Sequence, residues 1–163
     1  MPEAIICDTS VWLYMGRIDQ ANLLAQLYHP VYTTDVVCHE LDIARLRHPD
    51  TLDPRQLPWV SLVQGDPQAI SNLPANRLGP GERSVLAYAQ ANPMQIVGLD
   101  DRQARVLAHQ LGLRVMGTIG VLLKTKESGL ITVVRPLLEQ LRQEGFHISP
   151  ALLTYTLQRA KET

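Results

Sequence analysis

The chain has few aromatic residues, few cysteines and almost no net charge. Its 163 residues contain two Trp, five Tyr, one Phe and two Cys, and the formal net charge at pH 7 is −1. Two cysteines make no disulfide framework and fit a reducing cytoplasm. A near-neutral chain does not suit a protein that coats nucleic acid without specificity, because such a protein needs a basic surface. An enzyme that contacts nucleic acid through a local basic patch stays possible.

Long apolar runs are also missing. No stretch approaches the 18 or so apolar residues that a membrane-spanning helix needs, so no membrane segment is predicted. The first residues, 1–6, carry no basic segment followed by a long apolar run, so a signal peptide is not expected. A chain of this length can bury one substantial core. We therefore expect a single folded domain over residues 1–163.

Short apolar runs alternate with amphipathic stretches along the chain. The pattern predicts strands at residues 4–7, 31–33, 59–63, 95–99 and 113–116. It predicts helices at residues 11–28 (interrupted near 16), 36–47, 82–91, 101–111, 119–128, 133–144 and 150–159, and loops at 48–58 and 65–81. Strands separated by helices form parallel βαβ units. The fold class predicted is α/β, a three-layer α/β/α sandwich with a central parallel sheet.

Acidic residues follow two of the predicted strands directly. Asp8 comes after the first strand, and Asp100 and Asp101 come after the strand at 95–99. Ligands of open α/β sheets bind at the carboxyl ends of the strands. If these two strands are neighbours, the three carboxylates face one crevice.

Two glutamates are predicted close to the same edge. Glu40 lies in the helix after the second strand, and Glu82 lies in the first turn of a helix after a Gly-Pro-Gly break. Acids gathered at one edge repel one another unless a cation is present, and carboxylate oxygens suit Mg²⁺ or Mn²⁺. Such a site can position a water for attack on a phosphodiester. Spacing alone predicts a metal site.

Each acid also has an ordinary structural interpretation. Asp8, Asp100 and Asp101 are good helix N-caps, and Glu82 in a first helical turn interacts well with the helix dipole. Glu40 could pair with an arginine one or two turns further along its helix. It is the ordered set of acids, rather than any one of them, that favours a site.

Five segments along the chain share a recognisable pattern: 5–13 (IICDTSVWL), 36–41 (VVCHEL), 78–87 (LGPGERSVLA), 96–105 (IVGLDDRQAR) and 111–120 (LGLRVMGTIG). Together these segments resemble the PIN domain family. They occur in the family's order and cover residues 4–145, which would form the core, with 146–163 as an additional C-terminal helix. The Leu-Asp-Asp-Arg and Gly-Thr-Ile-Gly patterns are most similar to a VapC-like prokaryotic branch.

The resemblance implies a metal-dependent endoribonuclease that cuts single-stranded RNA, as in the toxins of toxin–antitoxin pairs. By position, Asp8, Glu40, Glu82 and Asp100 would be catalytic and would hold Mg²⁺ or Mn²⁺. Asp101 would be a helper or a cap, and Ser10 and Thr118 would orient ligands or water. The partners expected are an RNA substrate, an antitoxin protein and a second copy of the chain, in the cytoplasm and without a membrane.

Basic and aromatic residues near the predicted crevice are candidates for RNA contacts. Those that could bind phosphates are Arg17, Arg83, Arg102 and Arg105, with surface pairing as the alternative. Trp12 and Tyr14 could stack on an unpaired base, although such residues more often belong to a core or an interface. Apolar stripes on the last two helices should cover the sheet, or form a homodimer face or an antitoxin groove.

Other functions remain as alternatives. The first is a PIN-like module that binds RNA or protein without cutting. A zinc site at Cys7, Cys38 and His39 is disfavoured, because strand alternation points Cys7 away from Asp8. A haloacid-dehalogenase-type phosphatase would need an acid where Ser10 stands, and a receiver domain would need its acid pair after the first strand. No Gly-rich phosphate loop is present.

Overall fold

A parallel sheet forms the centre of the molecule in the computed structural model, which describes residues 2–74 and 77–162. Five strands lie in the order β3-β2-β1-β4-β5, and all pairs are parallel. The predicted fold class is confirmed. The strands are β1 (Glu3–Cys7), β2 (Tyr28–Thr34), β3 (Val60–Val63), β4 (Ile96–Gly98) and β5 (Arg114–Met116).

Helices connect the strands and follow the last one. Within the described residues they are α1 (Thr9–Arg17), α2 (Asn22–Leu27), α3 (Asp35–Arg47), α4 (Pro67–Ser71), α5 (Pro80–Ala91), α6 (Arg102–Gln110), α7 (Thr118–Glu127), α8 (Arg135–Gln143) and α9 (Pro150–Arg159). A 3₁₀ turn covers Pro54–Gln56, inside the stretch predicted as loop. None of the described helices is both long enough and apolar enough to cross a bilayer.

The first strand occupies the middle of the sheet. Ile5, Ile6 and Cys7 have no exposed surface, as expected for a strand covered on both faces. Ile5 pairs with Val31 on one side and with Ile96 on the other. After β1, the chain adds β2 and β3 on one side of it and then crosses to the opposite side, where it adds β4 and β5. The carboxyl ends of β1 and β4 therefore form a topological switch point, where α/β sheets bind ligands.

The helix predicted over residues 11–28 is confirmed as the two helices α1 and α2, but its interruption and its end lie at other residues than predicted. The break falls at residues 18–21, where Asp19 adopts a φ of 56°, rather than at Gly16. Tyr28 belongs to β2 instead of the helix, because it is buried and pairs with Glu3 at the start of β1. Pairing with the sheet therefore decides where the helix ends, and Pro30 lies inside the strand.

The loop predicted over residues 65–81 is also wrong in part. It contains α4, whose first N–H groups are capped by Asp66, which accepts from the Gln68 N–H at 3.0 Å. Pro67 opens this helix and Pro80 opens α5, positions where a fixed φ and a missing N–H do no harm. Both proline signals were present in the sequence and indicate helix starts.

The C-terminal residues are tied to the body of the protein. Leu138 and Leu141 of α8 are fully buried, and Leu157 of α9 is nearly so. The Glu162 carboxylate accepts from the Val134 N–H and from Lys126 Nζ, each at 2.8 Å. These contacts fix the last two helices, and with them the loop that joins them beside the switch point.

Candidate functional site

Asp8 lies at the bottom of the crevice at the switch point. Its N–H donates to Gly98 O at 3.0 Å, which extends the β1–β4 pairing by one residue. Its side chain occupies the N-cap position of α1 but makes no capping hydrogen bond. Only 4% of the residue is exposed, and Oδ1 has no hydrogen-bond partner among the described residues. The structure therefore does not use Asp8 as a side-chain cap.

Asp100 follows β4 and holds three parts of the chain together. Its Oδ1 accepts from the Thr118 N–H at 2.7 Å, at the first residue of α7. Its Oδ2 accepts from Ser10 Oγ at 2.9 Å and from Thr118 Oγ1 at 2.7 Å. Since a carboxylate has about four acceptor positions, one remains open. Ser10 and Thr118, both predicted to orient the site, thus fix the rotamer of Asp100.

Glu40 and Glu82 approach the crevice from α3 and α5. Glu40 Oε1 accepts from Thr9 Oγ1 at 2.5 Å, and Glu82 Oε1 accepts from the Gly79 N–H at 3.1 Å. A Cβ on Gly79 would lie 3.8 Å from Glu82 Oε1 and 3.9 Å from Glu40 Oε2, so the two carboxylates are close. A Cβ on Gly81 would lie 1.9 Å from Glu40 Oε1. Glycine at 81 is therefore required for Glu40 to enter the site.

The crevice brings acidic side chains together without an ion-pair partner among the described residues. Burial raises the pKa of Asp8 to about 8, with further increases from Glu82, Glu40 and Asp100 against an opposing contribution from the Thr9 N–H. Burial and nearby acids also raise the pKa of Glu82. None of the ion pairs within residues 2–74 and 77–162 involves Asp8, Glu40, Glu82 or Asp100. A bound cation would relieve this repulsion.

The acids open onto two adjoining clefts. One, of about 400 Å³, is lined by Asp8, Thr9, Glu40 and Glu82 among others. The other, of about 530 Å³, is bounded by Asp8, Glu82, Asp100 and Asp101 on one side and by residues 145–147 on the other. Sequence reasoning missed Thr9 and residues 145–147. The hydroxyl of Thr9 beside Asp8 was a usable signal, whereas 145–147 reach the site only through the tertiary fold.

A comparison with known protein families finds a match to the sequence of this chain. A family model described as "DUF3368: PIN domain" matches residues 4–162. The chain belongs to this PIN-domain family. The solved structure entitled "Structure of the PIN domain endonuclease Utp24" is 13% identical in sequence, with a TM-score of 0.53 over 71% of this chain and 85% of that one. At that identity it shows a shared fold. No curated protein sequence matches the chain.

Asp101 has a structural role in this PIN domain. Its Oδ2 accepts from the Ala104 N–H at 2.9 Å, so it caps α6. It also lines the larger cleft and contributes to the raised pKa of Glu82. Of the two interpretations offered by the sequence, the cap is the one that the hydrogen bonds show.

The side chains present fit a divalent cation without being fully arranged for one. In the part of the chain that the structure describes, no group of three or more His, Cys, Asp or Glu side chains is already placed to hold a metal ion. Glu40 and Glu82 each accept from a donor of the protein. The buried Asp8 Oδ1 is the oxygen that such an ion would satisfy. All four oxygen donors are of the type that Mg²⁺ and Mn²⁺ prefer.

The four arginines differ in their surroundings. Arg83 donates to the carbonyls of Ile70, Leu73 and Pro74, so it organises the loop before α5. Arg17 donates to Glu144 O at 3.3 Å, and Arg102 lines a separate groove on α6. Arg105 alone of the four lies next to an acid of the site, since its Nη1 and Asp100 Oδ1 would each be 3.1 Å from a Cβ on Gly117.

The two aromatic residues that could stack on a base also differ in their surroundings. Trp12 is fully buried against Trp59, with ring centroids 6.0 Å apart, and is a core residue. Tyr14 lines both clefts and packs edge-on to Phe146 at 4.9 Å. Cys7 and Cys38 are buried free thiols, and among the described residues neither belongs to a group of three side chains placed to hold a metal ion.

Proposed function

We propose that this PIN domain is a metal-dependent endoribonuclease that cuts single-stranded RNA. One observation carries the proposal: a buried carboxylate oxygen, Asp8 Oδ1, has no hydrogen-bond partner among the described residues and lies among three further acids without an ion-paired cation there. Membership in the PIN family and the fold shared with a PIN domain endonuclease support a nuclease. Single-stranded RNA and the divalent ion are our inferences.

In this proposal Asp8, Glu40, Glu82 and Asp100 hold Mg²⁺ or Mn²⁺. When bound, the ion supplies charge stabilisation at the phosphodiester and a water of lowered pKa. With a pKa near 8, the Asp8 carboxyl is mostly protonated at neutral pH in the protein alone, so cation and proton compete for it. Metal binding should therefore strengthen as the pH rises.

Three hydroxyl groups of the chain keep the acids in position. Ser10 and Thr118 hold Asp100 from two sides, and Thr9 holds Glu40. Arg105 lies beside Asp100 and lacks a hydrogen-bond or ion-pair partner within residues 2–74 and 77–162, so it can accept a phosphate of the substrate. Arg17, Arg83 and Arg102 remain proposed RNA contacts, with Arg83 already committed to backbone carbonyls.

The test is cleavage of a pool of single-stranded RNA by the purified protein with Mg²⁺, Mn²⁺ or EDTA. Glu82→Gln is the test variant, and Glu139→Gln, an exposed glutamate on α8, is its matched control. We expect cutting that needs the metal, is lost in Glu82→Gln and is retained in Glu139→Gln. Equal cutting by both variants, or cutting in EDTA, would contradict the proposal.

A binding module without catalysis is the second candidate. The observation that favours it is the lack, in the described residues, of three side chains already placed around a metal position. This module would bind single-stranded RNA equally with Mg²⁺ and with EDTA, and would release no cleavage product. The experiment above separates the two candidates by product formation.

We further propose that the chain forms one domain, with residues 4–145 as its core and 146–163 as an added helix. In this proposal the protein acts in a reducing cytoplasm as a VapC-like toxin. Exposed apolar side chains, Ile43 and Leu46, share one face of α3 and would suit a second copy or an antitoxin. Light scattering of the wild type and of Leu46→Lys tests the dimer. A monomeric wild type would contradict it.

A further inference from the structure

A groove continues from the acidic cleft along α7 and α9. Its volume is about 380 Å³, and its walls include Met116, Ile119, Phe146, Leu152 and Tyr155. The acidic cleft and this groove share Asp100, Phe146 and His147, so a chain that crosses the acids can enter it directly. Leu152 and Tyr155 are 37% and 52% exposed, which leaves an apolar wall open to a ligand.

The boundary between cleft and groove carries a cation. Arg105 lines the groove next to Asp100, and its side chain has no hydrogen-bond or ion-pair partner in the part of the chain that the structure describes. A guanidinium at that point can hold a phosphate. The arrangement is thus an acid site with a phosphate-binding cation beside it and an apolar recess beyond, which matches a scissile phosphate and the base of the nucleotide attached to it.

Glycine keeps the recess open. A Cβ on Gly120 would lie 2.5 Å from Met116 Sδ, so any side chain there would displace Met116 from the groove wall. Gly117 is equally close to Arg105 Nη1 and Asp100 Oδ1, at 3.1 Å each from its Cβ position. The two glycines at the start of α7 therefore set the width of the groove at its junction with the acidic cleft.

We propose that this groove is a subsite for the base of one nucleotide next to the scissile phosphate. The inference rests on the proposed function, whose substrate it describes more closely. Aromatic and apolar side chains stack on bases without reading sequence strongly. The groove's volume of about 380 Å³ lies within the range of about 300–1,000 Å³ that is usual for small-ligand pockets. Continuity with the acids and the adjacent cation favour a nucleotide over a protein helix.

The experiment measures RNA binding rather than cleavage. Asp8→Asn protein in Mg²⁺ is mixed with a fluorescent single-stranded hexanucleotide RNA, and with six versions that each lack one base. We expect the loss of one particular base to weaken binding by about tenfold. With Tyr155→Ala added, the loss of that base should have no further effect. Met94→Ala is the matched control, an exposed apolar side chain just before β4, and should keep the tenfold difference.

Four outcomes decide the proposal. If Tyr155→Ala abolishes the effect of removing one base, this coupling supports the subsite. If the wild type also never cuts RNA, the subsite still stands and only the nuclease proposal fails. Metal-dependent cutting by the wild type together with no such coupling overturns the subsite and leaves the nuclease standing. Coupling that Met94→Ala also abolishes overturns it, as does a failure to bind any of the RNAs. Phe146→Ala, which changes another residue that lines the groove, should repeat the result of Tyr155→Ala.

Discussion

Two groups of acidic side chains in this protein have opposite surroundings. On the surface near the end of α3, Asp42 and Asp53 pair with Arg45 and Arg55, and Asp53 Oδ1 lies 2.8 Å from Arg55 Nε. In the crevice at the end of β1, Asp8 has no ion-pair partner within the described residues, its Oδ1 accepts no hydrogen bond there, and it faces other acids. Hydrogen bonds from Arg55 lower the pKa of Asp42 and Asp53, whereas burial raises that of Asp8.

We propose that this difference separates structural acids from acids that bind a ligand. The surface acids pair with arginines. The hydrogen bonds that the crevice acids accept within the described residues come from neutral hydroxyl and amide donors. Clusters of titratable groups with perturbed pKa values in a cleft mark functional sites. Each prediction below would break or sharpen this contrast.

The largest effect is expected from removing one crevice acid. Asp8→Asn should lower RNA cleavage by more than about 100-fold, because losing a ligand should exceed the loss typical of its supporting groups. The variant should still fold, since it replaces a carboxyl group whose ionised form is disfavoured by burial and by nearby acids. Asp53→Asn is the control from the surface group and should cut like the wild type. Cleavage and circular dichroism are measured together. An unfolded Asp8→Asn would mean that the acid is structural.

A smaller effect is expected from a supporting hydroxyl. Thr118→Val removes the 2.7 Å hydrogen bond from Thr118 Oγ1 to Asp100 and keeps the shape of the side chain. The backbone N–H of the residue still holds the other oxygen of Asp100. We expect a loss of about 10- to 100-fold in cleavage, partly recovered at high Mn²⁺. A loss that Mn²⁺ cannot change would argue against a role in positioning the metal ligand.

The two groups should also respond to pH with opposite signs. The pKa of Asp8 is raised from 3.8 to about 8, so its burial lowers stability progressively as the pH rises through that window. The pKa of Asp53 is lowered, so its contribution is present above about pH 4 and is lost as the pH falls. In urea unfolding without divalent metal, the free energy of unfolding of Asp8→Asn should increase relative to that of the wild type between pH 5 and pH 8. A constant difference would contradict the raised pKa.

The smallest effect is expected in the surface group. Arg55→Gln removes one of the two arginines that pair with Asp42 and Asp53, and Arg45 remains. The side chains of Arg55 and Asp42 are 40% and 42% exposed, so solvent screens their interaction. We expect a slight loss of stability that shrinks further at high salt, and unchanged cleavage. Thermal unfolding at two salt concentrations checks the first, and the RNA assay checks the second. A large loss of cleavage would mean that the two groups are coupled.

The sequence predicted the sheet and the acids at its edge better than it predicted the connections. Apolar runs ending in Asp8 and Asp100 are local signals, and the neighbouring positions of β1 and β4 bring the two together. The end of α2 depends instead on Tyr28 pairing with β1, a contact made between distant parts of the chain. The α4 helix was missed although Asp66 and Pro67 marked its start.

In the candidate site, too, some residues can be predicted from local sequence, whereas others depend on contacts between distant parts of the chain. Hydroxyl residues next to an acid, such as Thr9 and Ser10, can be found from sequence because they are neighbours of Asp8. Phe146 and His147 cannot, because they reach the cleft only through the packing of α8 and α9. Likewise, Trp12 and Tyr14 look equivalent in the sequence, and only the fold places one in the core and the other on the cleft.

The central claim is that the crevice acids hold a divalent cation, and direct titration with Mn²⁺ followed by electron paramagnetic resonance tests it. The wild type and Asp53→Asn should remove free Mn²⁺ from solution equally, with tighter binding near pH 8 than near pH 6. Asp8→Asn should bind much less. Equal Mn²⁺ binding by the wild type and Asp8→Asn, or none by either, would contradict the account.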